Sequence, residues 1–102
     1  MKYFLTILVL FGALPLLYAQ KSDKFTLSTV VIDPGHGGTD AGAVFGKVYE
    51  KDIALDVALR FGRKIKSEFP NINVVYTRDT DVFIPLNERG KIANKAKSDF
   101  FI

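Results

Sequence analysis

The chain has 102 residues, with 14 Lys and Arg against 11 Asp and Glu, one histidine and no cysteine. That length allows one domain at most, and a chain without cysteine has neither a disulfide framework nor a lipid-modified cysteine. The net charge of +3 is mild and its bases are interspersed with acids, so the composition gives no ground for a nucleic-acid partner.

Residues 1–19, MKYFLTILVLFGALPLLYA, read as a secretory signal peptide. Lys2 is a short positive region, the run from Phe4 to Leu17 is almost unbroken apolar sequence, and Ala19 sits at a small-residue cleavage position. Leu17 is larger than the residue usually found three places before a cut, so export is better specified than the exact cleavage point. The run is shorter than the roughly 20 residues a membrane span needs, and no positive stop-transfer cluster follows. An uncleaved anchor is the alternative. The expectation is export to the periplasm or cell envelope, or secretion, with no stable membrane insertion after cleavage. Cleavage would leave 13 basic against 11 acidic residues. About 83 residues would then remain to build a thin core.

Residues 20–28 are a polar linker running into the start of the first strand, and residues 29–102 form the folded unit. FTLSTVVID (25–33) alternates and then becomes a continuous Val-Val-Ile run, the pattern of a strand buried on both faces. EKDIALDVALRFGRKIKSEF has apolar residues at 53, 54, 57, 58, 61 and 65, which is helical spacing, with acids early and bases late to suit the helix dipole. Pro70 stops that helix, and INVVYT (72–77) is a second strand. Pro85 suits the first turn of a second helix over PLNERGKIANKAK, and DFFI begins a third strand. Strands alternating with helices predict an α/β fold, a mostly parallel sheet with flanking helices in the order β-α-β-α-β.

Ligands gather at the carboxyl ends of strands in such sheets, and there the sequence reads DPGHGGTDAGA (33–43) around His36, the single histidine. A dinucleotide loop would need G-x-G-x-x-G running straight into a helix. Gly35 and Gly37 fit that pattern, but position 40 is Asp and the helix begins only near residue 50. A phosphate loop of the G-K-[ST] kind is absent from the sequence. A metal site remains, since hydrolytic zinc takes three protein ligands from His and carboxylates and keeps one position open. Glu50, opening the first helix, is the candidate second ligand beside His36. The alternatives are a dipole-stabilising glutamate and a structural or exposed histidine.

DPGHGGTDAGA, followed by YEKDIALDVA (49–58), VVYTRDTD (74–81) and LNERGKIAN (86–94), closely resembles the zinc-dependent N-acetylmuramoyl-L-alanine amidases from about Thr29 to the last residue. The resemblance implies Zn2+ as cofactor, His36 and Glu50 as metal ligands, and peptidoglycan as substrate, cut between N-acetylmuramic acid and L-alanine. Asp33 and Asp40 are candidates to orient His36 by accepting its second N–H. Asp33 is preferred, with a turn-forming aspartate before proline as its alternative. Arg78, Arg89 and Asn94 match recurrent family positions and are expected to hold the second crossover, with ordinary solvent-facing polar residues as the alternative. The resemblance further implies that the third ligand, a histidine, and the general-base glutamate lie beyond Ile102, so no catalytic residue is assigned within this chain. Glu68 and Glu88 match no such position. The expectation is therefore the amino-terminal part of an amidase, with a truncated, inactive remnant or a peptidoglycan-binding module as the alternative. An activator protein, if one exists, is not specified.

Overall fold

Residues 23–102 are described by a computed structural model. The expected signal segment lies outside them. Among the described residues, no helix is long and apolar enough to cross a membrane.

The Val-Val-Ile run forms β1, Thr29–Ile32. Next come β2 (Val44–Phe45) and β3 (Val48–Tyr49), then α1 (Glu50–Glu68) and β4 (Asn73–Tyr76). α2 (Leu86–Lys95) and β5 (Phe100–Phe101) complete the order. β1 lies between β4 and β5, parallel to both, with Val30 opposite Val74 on one side and Phe100 on the other. A central parallel strand is covered on both faces. Val30, Val31 and Ile32 are accordingly almost fully buried. This is the expected α/β arrangement of a parallel sheet with helices, and β1 delivers its carboxyl end to the loop that carries His36.

Two elements differ from the sequence reading. Residues 25–28 lie outside the regular strand, and between the glycine loop and the helix, where the sequence reading has no regular element, lies the antiparallel hairpin of β2 and β3. Val44 pairs with Tyr49 and Phe45 with Val48, around a two-residue turn opened by Gly46 at φ 59. A glycine at the first turn position supplies a backbone twist that matches the flanking strands. The spelling V-F-G-K-V-Y therefore carried a hairpin signal.

The core under one face of the sheet joins Val30, Ile32 and Val74 to Ala58 of α1, with Ile65, Ile72 and Tyr76 packed around them. Gly62 is buried because the Tyr76 ring occupies the space where a side chain would stand. The apolar stripe of α1 is wider than its contact with the sheet. Ala58 and Gly62 are buried, whereas Ile53, Val57 and Phe61 are exposed, beside the equally exposed Val44, Phe45 and Val48 of the hairpin. An apolar groove of about 540 Å3 runs between hairpin and helix, with Glu50 in its lining.

Candidate metal centre

After β1 the backbone leaves ordinary strand geometry. His36 has φ 62, and Gly37 and Gly38 follow at φ 122 and 56. Histidine is among the few non-glycine residues that enter the left-handed region with any frequency, and such conformations persist only where the surroundings impose them. Here the chain turns back at once. Gly37 and Asp40 exchange both backbone hydrogen bonds, at 2.8 and 3.0 Å. That return places Asp40 Oδ2 2.9 Å from His36 Nδ1, while Asp40 Oδ1 accepts the Gly42 N–H at 3.1 Å.

Glu50 reaches the opposite edge of the ring from the first residue of α1. Its Oε1 lies 3.1 Å from His36 Nε2. No side chain caps this helix. Its first N–H groups, which have no partner within the helix, are met by the loop instead: Glu50 N donates to Ala43 O and Lys51 N to Ala41 O. Ala43 N in turn donates to Glu50 Oε2 at 2.7 Å. The glutamate is thus tied to the loop through its backbone and through one carboxylate oxygen, leaving the other for the histidine.

The charges follow from these contacts. The hydrogen bond to Asp40 raises the His36 pKa above 6.5, with Glu50 adding to it and partial burial opposing. The His36 contact pulls Asp40 below the usual carboxylate range, helped by the Gly42 N–H. The Ala43 N–H does most to lower Glu50, with His36 second. With a carboxylate at each edge, the protonated ring donates from Nδ1 to Asp40 and from Nε2 to Glu50; when the ring is neutral, Asp40 favours the hydrogen on Nδ1 and Nε2 becomes the nitrogen able to offer a lone pair.

The donor pair suits a zinc ion. Two ligands of a tetrahedron with bonds of about 2.0–2.2 Å stand roughly 3.3–3.6 Å apart, a few tenths of an ångström more than the 3.1 Å between Nε2 and Oε1. Asp40 lies on the other side of the imidazole and cannot share a cation held at Nε2. Among the described residues, no group of three or more His, Cys, Asp and Glu side chains converges to hold a metal.

Of the two aspartates expected to orient His36, the structure puts Asp40 there and corrects the preference for Asp33. Asp33 accepts the Thr77 hydroxyl at 2.6 Å and Arg89 Nη1 at 2.7 Å. Arg89 also donates to the carbonyls of Ile84, Pro34 and His36. Arg78 donates to Pro34, Gly35, Lys51 and Thr80. Both arginines are buried, at 3 % and 4 % exposure, and what they hold includes the His36 loop as well as the second crossover. Asn94 is exposed, and its carbonyl accepts the Lys97 N–H.

The sequence reading missed Lys51 and Asp81. Lys51 Nζ donates to Gly38 O and to Asp81 Oδ2, and Asp81 Oδ1 accepts the Gly38 N–H at 2.7 Å. Gly38 is therefore pinned at both its backbone groups. The side chains of His36 and Glu50 stay one-third and one-half exposed. A cleft of about 420 Å3 opens beside His36, lined by Asp33, Asp40, Phe83, Ile84 and Arg89.

Residues 30–102 match the N-acetylmuramoyl-L-alanine amidase family Amidase_3. The chain is 45 % identical over 74 residues to N-acetylmuramoyl-L-alanine amidase AmiC of Escherichia coli O6:H1, covering 72 % of this chain and 18 % of that protein. It is 36 % identical over 73 residues to the sporulation-specific N-acetylmuramoyl-L-alanine amidase of Bacillus subtilis, covering 72 % and 29 %. The catalytic domain of CwlV, an N-acetylmuramoyl-L-alanine amidase from Bacillus (Paenibacillus) polymyxa var. colistinus, superimposes with a TM-score of 0.68 at 42 % identity. That superposition covers 74 % of this chain and 42 % of CwlV's. The chain thus spans less than a third of these two curated relatives. The match nevertheless runs through the His36 loop, the Glu50 helix and every strand of the parallel sheet, and this chain belongs to the N-acetylmuramoyl-L-alanine amidase family.

Proposed function

We propose that the catalytic unit to which residues 29–102 contribute is a zinc-dependent hydrolase. Its reaction is cleavage of the amide between N-acetylmuramic acid and L-alanine in peptidoglycan, in the cell envelope. The observation that carries this reading is the opposed pair His36 Nε2 and Glu50 Oε1 at 3.1 Å, set in a family whose relatives bear the amidase name.

In this reading His36 and Glu50 are two of the zinc donors. When bound, zinc supplies Lewis acidity, polarising the amide carbonyl and lowering the pKa of a water toward about 7. This chain's residues prepare the place for it. Asp40 fixes the ring's hydrogen on Nδ1, so that Nε2 is the free donor. The Ala43 N–H holds Glu50 Oε2, so that Oε1 is presented. A catalytic zinc takes three protein donors, and in this reading residues of the catalytic unit other than 29–102 add the third donor and the general base. Export follows from the N-terminal signal pattern.

The test is hydrolysis of purified peptidoglycan by the complete catalytic unit bearing residues 20–102. It should release stem peptides with a free L-alanine amino group in the presence of zinc. His36→Ala and Glu50→Ala should each abolish release, and full activity in either variant would refute the assignment. The 102-residue chain by itself is expected to bind zinc weakly and to release no peptides.

A further inference from the structure

A two-donor site works only if its two donors keep their spacing, and here they arrive from separate elements, one a glycine-rich loop and the other a helix end. Arg78 touches both. Its Nη2 donates to Gly35 O at 2.7 Å and to Lys51 O at 3.0 Å. Gly35 immediately precedes His36, and Lys51 immediately follows Glu50. A single guanidinium nitrogen therefore bridges the backbone beside one donor to the backbone beside the other. The remaining bonds tighten the hold: Nε donates to Pro34 O and Nη1 to Thr80 O, both at 3.0 Å. Four of the five N–H donors of the planar fork are used, each on a different carbonyl.

Arg78 is buried among those carbonyls, at 3 % exposure, with no carboxylate hydrogen-bonded to it. Its guanidinium also lies directly beneath Gly37, where an added Cβ would meet Arg78 Nε at 2.8 Å. Gly37, with its positive φ, is thus closely packed between this side chain and the Val82 carbonyl. A lysine could keep the positive charge, but its single ammonium cannot reproduce a planar fork reaching four carbonyls.

We propose that Arg78 is a positioning residue of the metal site, a clamp that sets the distance between His36 Nε2 and Glu50 Oε1. This rests on the zinc reading of that pair. The clamp acts on zinc affinity through the loop and the helix end, without touching the ion.

The experiment is a zinc titration of the 102-residue chain, following the imidazole signal of its single histidine by NMR. Arg78→Lys is compared with the unaltered protein and with Arg60→Lys, a change at an exposed helix residue paired with Asp56. Arg78→Lys should weaken zinc binding by about 10- to 100-fold, the loss typical of groups that orient metal ligands, while Arg60→Lys binds as before. Undiminished affinity in a folded Arg78→Lys protein overturns the clamp and leaves the zinc site standing. An unaltered chain whose His36 signal ignores zinc overturns the clamp, while the zinc reading itself is decided by His36→Ala and Glu50→Ala in the complete catalytic unit. Should Arg78→Lys fail to fold, the unaltered chain decides. Coupling is reciprocal, so zinc must slow hydrogen exchange at the Arg78 guanidinium, and unchanged exchange overturns the proposal.

Discussion

Asp40 Oδ2 meets His36 Nδ1 at 2.9 Å, on the ring edge opposite the one that faces Glu50. The imidazole is therefore held between two carboxylates and, when protonated, donates to both, from Nδ1 to Asp40 and from Nε2 to Glu50. Asp40→Ala should free the ring to rotate and to change tautomer, and zinc affinity should fall by about 10- to 100-fold. Calorimetric titration measures this directly. Binding as tight as in the parent protein would show that Asp40 serves only the turn, through its bond to Gly42.

How much of this was legible beforehand depends on the range of the interaction. Helical spacing and Pro70 predict α1 to within a residue or two, because both signals are local, whereas a strand end and a helix start only mark out His36 and Glu50, and it is the family resemblance that makes them a donor pair. The choice between Asp33 and Asp40 was not legible. It turns on the backbone exchange between Gly37 and Asp40, which depends on left-handed angles at His36, Gly37 and Gly38. The arginines were legible as positions but not as roles, since most of their acceptors are backbone carbonyls of remote residues. Exposure of Ile53, Val57 and Phe61 was equally hidden, because an apolar stripe does not reveal how much of itself the sheet will cover.

Arg89 and Asp33 form the most enclosed ion pair among the described residues, with side chains 5 % and 19 % exposed. Arg89→Met would leave Asp33 with the Thr77 hydroxyl alone and would strip donors from the carbonyls of Ile84 and His36. Removing one partner of a buried pair costs about 3–5 kcal/mol. Asp33→Asn, which keeps some hydrogen bonding, should cost less, and the double variant less than the sum of the two. Denaturant unfolding measures all three. The exposed pair Arg60–Asp56 serves as the contrast, its loss shifting stability by less than about 1 kcal/mol. Equal losses at the two sites would deny Arg89 its role in holding the loop.

Protons and zinc compete for His36 with opposite signs. In the metal-free protein the pKa of His36 is raised above 6.5 by Asp40 and Glu50. Its contribution to stability is present below 6.5 and is lost as pH rises through the raised value. Asp40 and Glu50 are lowered from 3.8 and 4.5, so their contributions hold above those values and fade as acid is added. The metal-free triad is therefore most stabilising between the ordinary carboxylate and histidine ranges. Zinc needs neutral Nε2, so its affinity should fall by up to about tenfold per pH unit below the raised pKa. Thermal melts with and without zinc, from about pH 5 to about pH 8, should show the zinc-induced shift growing with pH. A shift that is flat across this range would mean that zinc binds elsewhere.

Gly42 separates the two donors from a steric collision. It has φ 67, and a Cβ built on it would stand 2.7 Å from Glu50 Oε2, 2.8 Å from Glu50 Cβ and 2.8 Å from His36 Cδ2. No ordinary contact is that short, so Gly42→Ala must push the glutamate, the imidazole or the loop aside. Gly46 is the matching control. It has a similar φ of 59, yet a Cβ there would meet nothing within 4 Å. Both alanine variants carry the left-handed backbone cost of about 1–2 kcal/mol. Only Gly42→Ala adds displacement of His36 and Glu50, and a donor pair built to span one zinc tolerates little of it. Gly42→Ala should therefore lose both stability and zinc binding, whereas Gly46→Ala loses stability alone and keeps the parent zinc affinity. Unfolding curves and zinc titrations on the two variants separate the effects. Parent-like zinc affinity in a folded Gly42→Ala protein would show that the site yields freely at this point, and that the spacing of His36 and Glu50 is not what selects the metal.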